Sequence, residues 1–118
     1  MNKFVIHKNT WTWGESNIII ASDGTGTVTV QFFNDETNLA YITGLSVYHK
    51  ARNKGLGKQL LHKAETIAKE REGITNIKIC CDKTDFVYNW YIREGYTDTG
   101  IILLGYGDTV VELRKKIN

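Results

Sequence analysis

Up to residue 47 apolar and polar residues alternate in short runs, and from Leu56 onward the spacing becomes helical. Residues 3–7, 17–22 and 27–33 are rich in β-branched and aromatic side chains and read as strands. The second and third are joined by the turn Asp23-Gly24-Thr25-Gly26. Residues 39–47 read as a fourth strand, entered through residues 34–38 as a hairpin loop, so this half of the chain is expected to be an antiparallel meander. Gly44 interrupts that strand, and a glycine there marks either a bulge with close backbone approach or a plain weak spot. Leu56, Leu60, Leu61, Ala64, Ile67 and Ala68 fall on one helical face, with Gly73 and Ile74 placed as a Schellman-type stop. Residues 77–81 return to strand. Phe86, Val87, Trp90 and Tyr91 form a second helical stripe ended by Gly95, and two closing strands follow over residues 96–104 and 109–115. A strand–helix–strand unit after a meander predicts an α/β fold of the α+β kind, a mixed, mostly antiparallel sheet flanked by helices.

Between the fourth strand and the first helix stand Arg52, Asn53, Lys54, Gly55, Leu56, Gly57 and Lys58. Two glycines one residue apart at a strand-to-helix turn let main-chain amides approach a ligand, and the helix end adds about half a positive charge. Lys50, Arg52, Lys54 and Lys58 carry positive charge here with no acid among them. A pyrophosphate is the natural guest; a tight connection with a solvated basic face is the alternative. Spacing excludes two familiar phosphate motifs. A P-loop needs Ser or Thr after its lysine, where Gln59 stands. The dinucleotide fingerprint needs a third glycine at Leu60, which the helical pattern turns to the core.

The chain resembles the GNAT N-acetyltransferase superfamily, whose Arg/Gln-x-x-Gly-x-Gly/Ala turn holds the pyrophosphate of coenzyme A. Leu45-Ser46-Val47, then residues 52–57, then Tyr91-Ile92-Arg93-Glu94-Gly95-Tyr96 follow the family order Leu-x-Val, Gly turn, helix, strand, and Tyr-x-x-x-Gly-Phe. His49 stands where proline is frequent, and Thr84 where asparagine often opens the second helix. The resemblance covers the chain from Ile18 onward and implies the acyl-CoA N-acyltransferase fold. It further implies acetyl-CoA as co-substrate without a metal, acetyl transfer to a primary amine by direct attack, and a cofactor site of Leu45, Ser46, Val47, residues 52–58 and Thr84. In such folds the fourth strand splays from the fifth, freeing amides near residues 45–47 for the acetyl carbonyl and pantetheine. Tyr91 matches the tyrosine that protonates the leaving thiolate. Unperturbed tyrosine and thiol pKa values differ by about 1.5 units, so that transfer costs on the order of 2 kcal/mol before the site tunes it.

No general base stands out. Asp82, Asp85, Glu36 and His49 are candidates, each also explicable as a cap, a turn residue or a solvated group, and a water chain serves equally. The resemblance also implies two helices between the first two strands, where only residues 8–16 are available, so these helices are reduced or absent. Either the acceptor groove is open, or a second copy covers it as a homodimer with Trp11 and Trp13 at the interface; the tryptophans capping their own core is the alternative. The acceptor stays open among a small amine, a peptide N-terminus, a lysine side chain and an aminoglycoside. A non-catalytic module that binds coenzyme A or a protein partner is the rival function.

At 118 residues the chain is expected to be one domain, 1–118, large enough to bury a core. A net charge of +2 argues against nucleic acid or membrane surfaces as partners. No signal-peptide pattern or long apolar stretch is present, which implies a cytoplasmic location. The adjacent Cys80 and Cys81 match neither zinc spacing nor a disulfide framework and read as core thiols.

Overall fold

The computed structural model describes residues 3–117; Met1, Asn2 and Asn118, within the expected domain 1–118, lie outside them. The elements in order are β1 (Phe4–Trp11), β2 (Gly14–Ala21), β3 (Gly26–Phe33), β4 (Glu36–Val47), a 3₁₀ turn (His49–Ala51), α1 (Leu56–Glu70), β5 (Asn76–Asp82), α2 (Phe86–Arg93), β6 (Thr97–Ile102) and β7 (Val110–Lys116). All strands join one mixed sheet in the order β1-β2-β3-β4-β5-β7-β6. Only β4 and β5 pair in parallel; β1 through β4 form the expected meander, and β7 inserts antiparallel between β5 and β6.

Both helices pack on one face, where Ile19, Val28, Val30, Ala40, Ile42, Ile77, Ile79, Val111 and Leu113 meet Leu56, Leu60, Leu61, Ala64, Ala68 and Tyr91. Alternation along the strands sends the intervening side chains, among them Thr29, Gln31, Tyr41 and Lys78, to the other face, which no helix among the described residues covers. A row of contacts crosses that face. Trp11 stacks on Trp13 (centroids 6.2 Å apart), Trp13 meets Phe33 (5.0 Å), and Phe33 meets Tyr41 edge-on (4.8 Å). Lys78 then lies over Tyr41 (4.8 Å) and pairs with Glu112, which also takes Arg114.

Buried charge ties α1 to the sheet. Arg71, beyond its last turn, bonds Glu15 of β2 (3.0 Å) and lies over the Phe32 ring (4.5 Å). Glu65 accepts from the Tyr96 hydroxyl (2.7 Å) and from Lys115 of β7 (3.0 Å). With their partners in place these buried carboxylates are held without an uncompensated charge.

Three expectations need correction. Residues 8–16 are not a connecting segment: β1 and β2 run through them and meet at the two-residue turn Thr12-Trp13, with Trp11 opposite Gly14. The polarity of Lys8, Asn9 and Thr10 hid this, because β1 is an edge strand exposed on both sides and has no need to alternate. The hairpin between β3 and β4 turns through Asn34 and Asp35 alone, fastened to the β1–β2 turn by the Asn34 amide and side chain donating to the carbonyls of Trp13 and Thr12. Finally, α1 does not stop in a Schellman motif. Its cap Arg71 is extended, and Gly73 serves a separate turn closed from the Ile74 amide to the Arg71 carbonyl.

Leu60 is fully buried at the centre of the face that α1 presents. Leu60→Ala is expected to lower unfolding stability by about 3 kcal/mol, measured by urea denaturation.

Candidate active site

The site begins where the sheet opens. β4 and β5 pair only through Leu39, Ala40 and Tyr41 with Asn76, Ile77 and Lys78. Beyond these the facing edges of both strands are unpaired, leaving a wedge between Ile42–Val47 and Ile79–Asp82. On its other edge β4 pairs Thr29 with Thr43 and Thr27 with Ser46, so β4 carries an extra residue, a bulge. Gly44 takes the left-handed conformation there (φ 66°), the bulge reading of this glycine.

The basic loop closes the mouth of the wedge. Asn53 (φ 64°) and Gly55 (φ 80°) are both left-handed, and Gly55 is the N-cap of α1 with no side chain to occupy the helix end. Among the described residues no acceptor takes the amides of residues 53–58; the first donor back into the chain is Gln59, to the Gly55 carbonyl. A concave run of free amides at a helix N-terminus suits an anion. A Cβ added at Gly57 would lie 3.7 Å from Val47 Cγ2 and 4.0 Å from Trp90 Cζ2, so the loop, the end of β4 and α2 converge.

The four cations differ in availability. Arg52 Nε donates to the Val47 carbonyl (3.1 Å), holding the end of β4, and Lys58 lies 3.9 Å from the Glu94 carboxylate. Lys50 and Lys54 have no ion pair or hydrogen bond among the described residues and line a hollow of about 230 Å³ with Asp23, Thr25, Ala51 and Leu56. A second hollow of about 320 Å³ lies along Thr25, Gly26, Thr27, Ser46 and Tyr48. Neither contains Tyr91, so they flank the wedge and do not define it. The β2–β3 turn that walls both is prearranged: Asp23 accepts from the Thr25 amide and hydroxyl, and the Tyr48 amide donates to the Thr25 carbonyl. Asp23, Thr25 and Tyr48 carried no sequence signal beyond a turn.

The Acetyltransferase (GNAT) family model matches residues 6–96. This chain belongs to the GNAT acetyltransferase family. No curated protein sequence matches it. Among solved structures, a GNAT family acetyltransferase from Elizabethkingia anophelis with acetyl-CoA bound superposes with TM-score 0.71 at 17% identity, over 97% of this chain and 98% of that one. An acetyltransferase from Bacillus cereus ATCC 14579 gives 0.68 at 24% identity, covering 95% and 74%. ElaA from Escherichia coli gives 0.71 at 14%, covering 86% and 69%. At these identities the likeness establishes the shared fold.

Within this GNAT chain Tyr91 is 6% exposed, edge-on to Trp90 (5.2 Å) and Tyr96 (5.7 Å). Its hydroxyl has no hydrogen bond to a described residue, yet no buried polar side-chain atom among them lacks a partner, so the oxygen reaches a solvent-accessible surface. Burial, with the nearby Cys81 thiol, pushes its pKa up to about 12. Tuning therefore runs against the expected acid role: the gap to an ordinary thiol widens to about 3.5 units, about 5 kcal/mol. Thr84 stands at the β5–α2 turn with its amide and hydroxyl both given to Asp82 (2.9 and 2.7 Å).

Three of the four candidate bases are engaged elsewhere. Thr84 holds the Asp82 carboxyl below its ordinary range, Asp85 caps α2, and Glu36 accepts from Tyr41 at the far end of β4. His49 lies exposed in the 3₁₀ turn. Cys81 is a core thiol, pushed up to about 11 by burial, whereas Cys80 is exposed on the uncovered face and is not one. Trp11 and Trp13 do not wall this site. Phe33, beside Trp13, pairs with Glu36, whereas Gly26 pairs with Val47, which separates Trp13 from the mouth of the wedge and its basic loop by seven residues of strand, roughly 23 Å. Among the described residues no cluster of His, Cys, Asp and Glu could hold a metal ion, and no helix is long and apolar enough to cross a membrane.

Because Tyr91 is held neutral in the folded chain, its contribution to stability is complete below about pH 10 and is lost as pH rises toward 12. The stability difference between the unmodified protein and Tyr91→Phe should therefore shift against the tyrosine by about 2–3 kcal/mol between pH 9 and pH 12 in paired urea titrations. A constant difference would show that Tyr91 titrates normally.

Proposed function

We infer that the chain binds acetyl-CoA across the β4–β5 wedge and transfers its acetyl group to a primary amine by direct attack. The observation that carries this reading is the convergence of Val47, Gly57 and Trp90 on one opening, with free amides over residues 53–58 at its mouth. Those amides, with Lys50 and Lys54, would hold the pyrophosphate. The backbone of Leu45 and the Val47 amide, turned to the unpaired edge of β4, would orient the acyl and pantetheine portion; Ser46, whose backbone groups turn to Thr27, would serve by its side chain, and Thr84 would stand at the opposite rim. When bound, acetyl-CoA supplies an activated acyl carbon on a thioester. The chain's own work is to exclude water along the helix-covered side, place that carbon, and present the Tyr91 hydroxyl toward the departing sulfur.

With a pKa near 12, Tyr91 stays protonated at every working pH and acts first as a hydrogen-bond donor to developing thiolate charge. Passing the proton over completely requires the bound site to lower that pKa. The amine proton has no dedicated acceptor among the described residues and leaves through water. The acceptor approaches from the uncovered face, and its class stays among primary amines. A purely binding module shares the cradle, and turnover separates the two readings.

Release of free thiol from acetyl-CoA across an amine panel tests the activity. Lys54→Glu should weaken acetyl-CoA binding roughly tenfold in calorimetry and reduce its salt dependence, and Gly57→Leu should block binding while the far-ultraviolet circular dichroism stays native. Unchanged affinity in both folded variants would overturn the cradle. Tyr91→Phe should lower kcat on the order of 10²-fold with little change in cofactor affinity, and kcat should show no loss of an acid up to about pH 10. An unaltered kcat removes Tyr91 from the reaction.

A further inference from the structure

The two edges of the sheet are built differently. At the β6 edge the ladder with β7 is broken by a register shift between Asp98 and Ile102, with Gly100 left-handed (φ 83°), so that edge offers no straight strand. β1 forms the other edge. It pairs with β2 without a break from Phe4↔Ala21 to Trp11↔Gly14, contains no proline, and has one lysine. Every residue after Phe4 is exposed, and Val5 (46%) and Ile6 (43%) leave apolar surface open on opposite faces. A long, regular and partly apolar edge is a template for another strand.

The backbone of β1 fixes what can be added. The Ser22 amide donates to the Lys3 carbonyl, so Lys3 and, by alternation, Val5, His7, Asn9 and Trp11 turn their hydrogen-bonding groups to β2. Phe4, Ile6, Lys8 and Thr10 turn theirs outward. We propose that this edge is a dimer seam: β1 pairs antiparallel with β1 of a second copy about a two-fold axis through His7, continuing the sheet from one protomer into the next. This goes beyond the acetyl-transfer reading and does not rest on it.

The register follows from the outward groups and from charge. A two-fold perpendicular to the sheet keeps each face on its own side, so even-numbered residues meet even-numbered ones. Centred on His7, Phe4 exchanges hydrogen bonds with Thr10 of the second copy and Ile6 with Lys8, using all four outward residues of each strand. Val5 then faces Asn9, Lys3 faces Trp11, and the two His7 side chains stand together in a non-hydrogen-bonded pair. Centring on Lys8 would set two ammonium groups directly opposite and leave Phe4 unpaired; centring on Ile6 would leave Thr10 unpaired. Like charges directly opposite destabilise a sheet. A two-fold seam of this kind closes on itself and gives a dimer, not a fibre.

Light scattering coupled to size exclusion at tens of micromolar should find the unmodified protein dimeric. Ile6→Pro removes an amide that points outward and none that points to β2, so it should give a monomer with a native circular dichroism spectrum. Register is read by cross-linking in a Cys80→Ser background: His7→Cys should form a disulfide-linked dimer on mild oxidation, whereas Val5→Cys alone and Asn9→Cys alone should not, and an equimolar mixture of those two should. A monomeric unmodified protein, a folded Ile6→Pro variant that stays dimeric, or Val5→Cys cross-linking as readily as His7→Cys would each overturn the proposal.

Discussion

β4 and β5 run side by side for three residue pairs and then separate, and the rest of the site depends on that parting. Backbone amides and carbonyls inside a protein are ordinarily paired, so two facing edges left open in the middle of a sheet constitute a demand for hydrogen bonds. The bulge at Gly44 strengthens the local twist of β4 just beyond its last pair with β5, where the strands diverge. Because α1 must cross from the end of β4 to the start of β5, its N-terminus is delivered to the open end of the wedge. Free strand edges and free helix amides therefore adjoin as a consequence of one topological step. A ligand with an anion at one end and hydrogen-bonding amides along its length, as a pantetheine chain has, answers both.

Charge in the rest of the molecule is spent on holding this frame. The buried carboxylates Glu15, Glu65 and Glu112 are each engaged by a cation on another element or along their own strand: Arg71, Lys115, and Lys78 with Arg114. Partial burial raises the Glu15 and Glu112 carboxyls, but their hydrogen-bonded and charged partners outweigh it and hold both below the ordinary carboxylate range. Arg52 and Lys58 are likewise drawn partly into structure, which leaves Lys50 and Lys54 as the cations facing outward from the loop. Tyr91 owes its raised pKa to the same apolar packing that fixes its position, so rigidity and acidity oppose each other at this residue.

Legibility in the sequence followed how directly each feature depends on side-chain pattern. α1 was readable because Leu56, Leu60, Leu61, Ala64 and Ala68 all had to reach one core, and the Gly loop because left-handed backbone at Gly55 is written in residue type. The bulge at Gly44 was readable for the same reason. Segment 8–16 was not, since a strand at a sheet edge is wetted on both sides and Lys8, Asn9 and Thr10 satisfy that environment without alternating. Nor could pattern place Trp11 and Trp13, whose distance from the wedge is set by the register of three successive hairpins. Pairing of Asp82 with Thr84 and the walls made by Asp23, Thr25 and Tyr48 depend on turn geometry that side-chain type alone leaves undetermined.

The two-residue turn between β1 and β2 has consequences for the whole sheet. A connection that short admits no helix, so one face is left without a cover among the described residues, and the sheet must tolerate water there. It does so by placing threonine and glutamine at the centre of that face, beside the half-buried Ile18 and Ile20, and by running a row of side-chain contacts across it from Trp11 to Arg114. An antiparallel sheet can be half solvated at little cost, whereas a parallel one ordinarily cannot. The single parallel contact is limited to Leu39–Tyr41, and it is there that the row crosses from β4 to β5 through Tyr41 and Lys78, joining by side chains the two strands whose backbones are about to part.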